Sequence, residues 1–121
     1  MPDELTEPII GAAVEVHRHL GPGLLESIYE EALAYELGLR QIKCERQVVV
    51  EVLYKEIRIH GQRLDLVIED EVVVEIKSMK AVPGVASAQV LSYLKATGLK
   101  RALLINFAET KLVNGIKRFS L

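Results

Sequence analysis

Two short apolar segments, residues 63–68 and 72–77, constrain this chain most, because each carries charged residues inside a stretch typical of a buried strand. Both are rich in Val, Leu and Ile, and only a Glu-Asp-Glu triplet separates them. This pattern predicts two adjacent antiparallel strands joined by a short turn. A buried charge is costly unless it is paired or bound to a metal, so Asp65, Glu75 and Lys77 require an explanation.

The register of this hairpin decides which charges face each other. Side chains alternate between the faces of a strand, so Glu75 and Lys77 share one face. A three-residue turn places Asp65 opposite Glu75, whereas a two-residue turn places it opposite Ile76 on the other face. In the first register two carboxylates meet, which is destabilising unless a cation lies between them. Hard oxygen ligands of this kind suit Mg²⁺ or Mn²⁺, and Lys77 would then hold a metal-bound water for attack on a phosphate.

An alternative explanation of the same residues needs no metal. Asp65 and Lys77 would form an ion pair across the strands, and Glu75 would lie at a solvated edge of the sheet. Spacing alone leaves both explanations open.

Length and composition indicate one domain, residues 1–121, with a proper hydrophobic core, since half of the residues are hydrophobic. No apolar run approaches the length of a membrane span and no signal-peptide pattern opens the chain, so we expect no membrane partner. The single cysteine, Cys44, excludes an internal disulfide and fits the reducing cytoplasm, where we expect the protein to act.

Charge is distributed unevenly along the chain. Residues 1–75 hold 7 Lys and Arg against 16 Asp and Glu, whereas residues 76–121 hold 8 against 1. This basic block includes Lys80 and Lys95, and a basic surface beside an acidic metal cleft suits a nucleic-acid partner. Ordinary solubilising charge is the alternative.

Hydrophobic periodicity and turn residues predict the element order α-α-β-β-β-α-β with a small C-terminal element, ambiguous between strand and helix. Thr6 is predicted to cap the first helix, and Gly38 to stop the second. The later elements are predicted as strands at residues 44–53, 56–68 and 72–78, a helix at 85–96 and a strand at 101–107. The fold class is therefore α/β, of the α+β sandwich type, with a mixed central sheet flanked by helices.

Both of the later helix patterns carry polar residues near their apolar faces. Glu26 falls at the border of the apolar face of the second helix, from which it can look toward the acidic strands, while Glu30 and Glu31 lie toward the polar face. A first-turn glutamate favoured by the helix dipole is the alternative for Glu26. Gln89 and Tyr93 are four residues apart and share a face of the third helix, where a satisfied core amide is the alternative for Gln89.

Together these residues resemble the PD-(D/E)XK nuclease superfamily, whose core runs α-β-β-β-α-β, and more closely its small GxxExxY branch. The naming motif is Gly-Leu-Leu-Glu-Ser-Ile-Tyr, residues 23–29. The resemblance covers residues 10–119 and departs from the literal PD pair, since Leu64 precedes Asp65. Four further segments follow in the family order, at residues 63–66, 75–77, 88–94 and 104–107.

The resemblance implies a restriction-endonuclease-like fold and metal-dependent hydrolysis of phosphodiester bonds in nucleic acid, DNA more than RNA. It implies that Asp65 and Glu75 bind Mg²⁺ (or Mn²⁺), helped by the backbone carbonyl of Ile76. Glu26 would complete or flank this acidic cluster.

The other implied roles concern the substrate. Lys77 would orient the attacking water, and Gln89 would position the substrate or a metal-bound water. Tyr93 would support Gln89 or contact a phosphate, and we expect Lys80 and Lys95 to contact nucleic acid as well.

Two further expectations concern the activity and the assembly. A catalytically silent nucleic-acid-binding or protein-interaction module on the same fold is the alternative function. The small size of the domain is compatible with a homodimer, although no residue establishes one.

Overall fold

The computed structural model describes residues 4–121, which form a five-stranded sheet with helices on both faces. The strands lie in chain order across the sheet, and the third and fourth strands are parallel while the other neighbours are antiparallel. The predicted fold class and element order are confirmed, and the ambiguous tail contains both a helical turn and a strand. The elements are α1 Thr6–Leu20, α2 Glu26–Leu39, β1 Cys44–Tyr54, β2 Ile57–Ile68, β3 Val72–Lys77, α3 Val85–Thr97, β4 Arg101–Asn106, a 3₁₀ helix Leu112–Gly115 and β5 Ile116–Ser120.

The sheet separates two hydrophobic cores. Helices α1 and α2 cover one face, where Leu33 and Leu37 pack with Ile76 and Phe107. Helix α3 covers the other face, which we call the α3 face. Every residue of β3 except Lys77 is buried, because this central strand packs against both cores.

The β2–β3 hairpin has the register that places the two carboxylates opposite each other. Ile68 lies opposite Val72 and Leu66 opposite Val74, with three residues in the turn. Continuing this register by one residue puts Asp65 opposite Glu75.

Two local predictions about the helices are wrong. Thr6 is not a cap but the first residue of α1, and its buried hydroxyl has no hydrogen-bond partner within residues 4–121. Gly38 does not stop α2, which runs on to Leu39. The backbone amides of Arg40 and Gln41 still donate hydrogen bonds to the last carbonyls of the helix. The left-handed residue that follows the helix is therefore Gln41, with φ 61°.

Within residues 4–121, no helix is both long enough and apolar enough to cross a membrane.

Candidate active site

Asp65 and Glu75 each bond to the backbone of the strand opposite. The Glu75 carboxylate accepts a hydrogen bond of 3.0 Å from the Asp65 amide, and the Asp65 carboxylate accepts one of 2.7 Å from the Ile76 amide. Regular pairing of β2 with β3 ends one step earlier, at Leu66 and Val74. The two side chains therefore replace the next ladder bonds and hold the strands apart at this point.

The other neighbour of Asp65 is irregular as well. In β1, Gln47 occupies the position opposite Asp65 and has φ 51°, so the β1–β2 ladder skips this pair. Leu64 packs in the α3-face core and Leu66 in the opposite core, although residues two apart normally share a face. Strand β2 thus rotates at Asp65, a distortion typical of positions where a sheet presents a side chain for function.

Both carboxylates lie where ionisation is disfavoured. Glu75 is 7% exposed, and burial together with the negative charge of Asp65 raises its pKa to about 7. Burial raises the pKa of Asp65 too, against the opposing effect of the Ile76 amide. The pair is a buried site of negative charge that a cation would stabilise.

Lys77 lies on the same face as Glu75 but does not neutralise the pair by contact. Its charge lowers the pKa of both carboxyl groups, yet Lys77 forms no ion pair within residues 4–121. The alternative Asp65–Lys77 ion pair with Glu75 at a solvated edge is therefore absent from the structure.

The donor atoms suit a hard divalent cation. The second oxygen of each carboxylate, on Asp65 and Glu75, makes no hydrogen bond to any residue in 4–121. The Ile76 amide points toward β2, so its carbonyl points the same way, since both groups of a strand residue face one neighbour. These oxygens fit Mg²⁺ or Mn²⁺, but no three acidic, His or Cys side chains of the described chain already form a metal cluster.

The start of α2 is held against the end of β3. Tyr29 is fully buried, stacks on Phe107, accepts a hydrogen bond from the Leu24 amide and donates one to the Gly21 carbonyl. Ser78, directly after β3, donates to the Leu24 carbonyl. The turn between α1 and α2 is thereby fixed at both ends.

This turn determines where Glu26 lies. Gly23 has φ 102°, a conformation that favours glycine, and Glu26 is the first residue of α2. Glu26 is exposed, but its negative charge raises the pKa of both Asp65 and Glu75, so it lies within electrostatic reach of them. Gly23 and Tyr29 thus together fix the turn from which Glu26 begins α2.

Helix α3 brings Tyr93 to the same place. Tyr93 is mostly buried, and its pKa is raised by burial and by the charges of Glu75 and Asp65. Gln89, one turn earlier, is exposed and makes no hydrogen bond within the described chain, so the alternative of a satisfied core amide is wrong. Lys95 lies apart, in a groove between α3 and the β1–β2 hairpin.

A comparison with protein families identifies this arrangement. A model described as the PD-(D/E)XK nuclease superfamily matches residues 3–119, almost the whole chain. The chain belongs to this superfamily. No curated protein and no solved structure matches it.

Members of the PD-(D/E)XK superfamily are generally nucleases and typically use divalent metals, in agreement with the donor set at Asp65 and Glu75. A nuclease superfamily also implies a nucleic-acid substrate. The superfamily match extends over α1 and most of β5, so it includes elements that contribute no residue to the carboxylate site.

Glu30, which the helix pattern places toward the polar face of α2, lies near Asp65 instead. Glu30 is only 7% exposed and accepts hydrogen bonds from Arg46 and Gln47 of β1, and its charge contributes to the raised pKa of Asp65. The prediction that it faces the polar side of α2 is wrong. The polar partners on β1, rather than solvent, satisfy the carboxylate.

Asn106, at the end of β4, holds the loop that follows β3. Its side chain is buried, donates to the Met79 carbonyl and accepts from the amides of Met79 and Ala108. Asn106 lies beside Lys77 in the parallel register and therefore fixes the loop that follows Lys77 and carries Lys80. Only its place at the end of a buried strand could have indicated this.

Proposed function

We propose that this PD-(D/E)XK protein is a metal-dependent nuclease of the GxxExxY branch that hydrolyses phosphodiester bonds, with DNA preferred over RNA. The carrying observation is the reciprocal bonding of Asp65 and Glu75, which leaves one oxygen of each carboxylate free in a buried site. Within residues 4–121, Lys77 forms no ion pair with either carboxylate, although its charge acts on both. A divalent metal accounts for a cluster that is otherwise destabilising.

Each residue has a distinct role in this proposal. Asp65, Glu75 and the Ile76 carbonyl would hold Mg²⁺ or Mn²⁺, with Glu26 beside them. A bound metal would lower the pKa of a water molecule and offset negative charge on the phosphate. Lys77 would orient that water and stabilise the charge that develops on the phosphate oxygens as the phosphorus–oxygen bond breaks.

Gln89 and Tyr93 would contact the substrate from α3. Gln89 is exposed and has no hydrogen-bond partner in the described chain, so its amide is free to donate to a phosphate or a water. Tyr93 lies near both carboxylates. Lys80, on the loop after β3, and Lys95, in the groove between α3 and the β1–β2 hairpin, would contact more distant parts of the nucleic acid. We place the activity in the cytoplasm, since the single cysteine fits a reducing compartment.

The test is cleavage of a panel of single- and double-stranded DNA and RNA in Mg²⁺ and in Mn²⁺, with EDTA as the blank. We expect Lys77→Ala to reduce the rate on the order of 100-fold or more, because a preorganised charge is lost from the transition state. Lys100→Ala is the matched control, since Lys100 is exposed and precedes the opposite end of β4. Full activity in Lys77→Ala would refute the assigned role of Lys77.

Calorimetric titration of Mn²⁺ separates metal binding from activity. Saturable binding to the wild type that is lost in Glu75→Gln supports the metal centre without any knowledge of the substrate. Binding of nucleic acid with neither metal binding nor cleavage would instead favour a catalytically silent module.

A further inference from the structure

Lys117 of β5 lies on the same face of the sheet as Glu75, one of the candidate metal ligands. Glu75 is opposite Leu104 in the parallel register of β3 and β4, and Leu104 is opposite Lys117 in the antiparallel register of β4 and β5. Residues in register share a face of the sheet, so Lys117 is on the face of Glu75. Two strand spacings separate their backbones, a distance of about 10 Å.

Lys117 borders a cavity of about 200 Å³ at this end of the sheet, and Lys80 borders it from the loop after β3. Both lysines are exposed, and neither forms an ion pair with a residue in the described part of the chain. Asn114 also lines the cavity, and Glu109 supplies one negative charge. The lining thus carries a net charge of +1.

The walls of the cavity are held in fixed positions. Asn106 binds both backbone groups of Met79, which sets the path of the loop that carries Lys80. On the other side, a Cβ atom added to Gly115 would lie 2.5 Å from the Asn106 carbonyl oxygen. Only glycine permits this close approach, which brings Asn114 and Lys117 beside Asn106.

This combination suits one kind of group. Two ammonium groups and an amide are donors for phosphate oxygens. The net charge of +1 attracts a phosphate group of the substrate backbone, and the two lysines approach it from opposite walls of the cavity. Asn106, which lines the cavity, lies beside Lys77 in the register of β3 and β4, so the cavity adjoins the end of β3 that carries Glu75 and Lys77.

We propose that the cavity between Lys80 and Lys117 binds a phosphodiester of the substrate strand next to the one that is cleaved. Lys117 is then a substrate-positioning residue on β5, an element outside the carboxylate cluster. The inference rests on the proposed nuclease function and adds the direction of the strand, which runs from Asp65 across β3 and β4 toward β5.

The test measures binding of a fluorescein-labelled single-stranded oligonucleotide in EDTA, where no cleavage occurs, at several salt concentrations. We expect Lys117→Ala to bind several-fold more weakly than wild type, and Lys117→Arg to retain most of the affinity. The slope of log affinity against log salt is expected to fall by about 0.7 in Lys80→Ala/Lys117→Ala, the value for one lost phosphate contact on a single strand. Lys100→Ala is expected to match the wild type in both quantities.

The outcomes distinguish this inference from the function on which it rests. Equal affinity and equal salt slope in Lys117→Ala and wild type, with nuclease activity intact, would overturn the inference alone. Failure of wild-type protein to bind any nucleic acid would overturn both. If millimolar inorganic phosphate at constant ionic strength abolished the difference in oligonucleotide affinity between wild type and Lys117→Ala, the cavity would bind a free phosphate ion. That result would overturn its assignment to a nucleic-acid strand.

Discussion

Glu75 makes the free energy of unfolding depend on pH in a direction opposite to that of an ordinary salt-bridged carboxylate. Its pKa of about 7 in the folded chain lies above the value of 4.5 expected when it is exposed. The folded state therefore binds this proton more tightly than the unfolded state. The resulting stability is fully present below about pH 4.5 and is lost as the pH rises through 7.

Replacement of Glu75 by Gln should remove this dependence. The amide keeps an oxygen for the Asp65 N–H and carries no charge, so we expect Glu75→Gln without metal to be more stable than wild type at pH 8. The gain is at most about 3 kcal/mol, and it vanishes near pH 4. Urea unfolding in EDTA at pH 4, 6 and 8 measures it, with Glu71→Gln in the exposed turn as control. Destabilisation of Glu75→Gln at every pH would instead indicate that the carboxylate is paired.

At the scale of the element, the start of α2 depends on one hydroxyl group. We expect Tyr29→Phe to keep the stacking on Phe107 but to free the Leu24 amide and the Gly21 carbonyl. The expected loss is about 1–2 kcal/mol of stability, with slower cleavage because Glu26 is no longer held beside the carboxylates. Thermal unfolding and cleavage rates check this. Tyr35→Phe is the control, since Tyr35 is exposed on the same helix, and equal effects of the two changes would contradict the role of Tyr29.

The 3₁₀ helix depends on close packing against the end of β4. We expect Gly115→Ala to destabilise the protein by about 1–3 kcal/mol, because the added Cβ would overlap the Asn106 carbonyl oxygen. Gly84→Ala is the control, since a Cβ there has no atom within 4 Å and the backbone is already right-handed. The denaturant midpoint of unfolding measures this loss of stability. An unchanged midpoint in Gly115→Ala would mean that the turn moves aside at no cost.

At the scale of the whole molecule, much of the architecture follows from local patterns. The short acidic turn limited the β2–β3 register to two alternatives, and only the three-residue turn found in the structure places Asp65 opposite Glu75. The order of elements was predictable for a similar reason, since the apolar periodicity changes clearly between helix and strand. The carboxylate pair follows directly from this register.

Features that depend on distant parts of the chain were not predictable. Glu30 is buried because Arg46 and Gln47 reach it from β1, and no pattern within α2 reveals those partners. The side chain of Asn106 accepts a hydrogen bond from the amide of Met79, which lies 27 residues away along the chain. The rotation of β2 at Asp65 likewise depends on the left-handed Gln47 in the neighbouring strand, which a single-strand alternation pattern cannot express.

The reciprocal bonds between Asp65, Glu75 and Ile76 also have a spectroscopic consequence. Each carboxylate accepts a hydrogen bond from one backbone amide, that of Ile76 for Asp65 and that of Asp65 for Glu75. In a nitrogen–proton correlation spectrum these two amide signals report the state of the two acids separately, without any label on the side chains. The amide signals of Asp65 and Ile76 thus report whether a cation or a proton occupies the site.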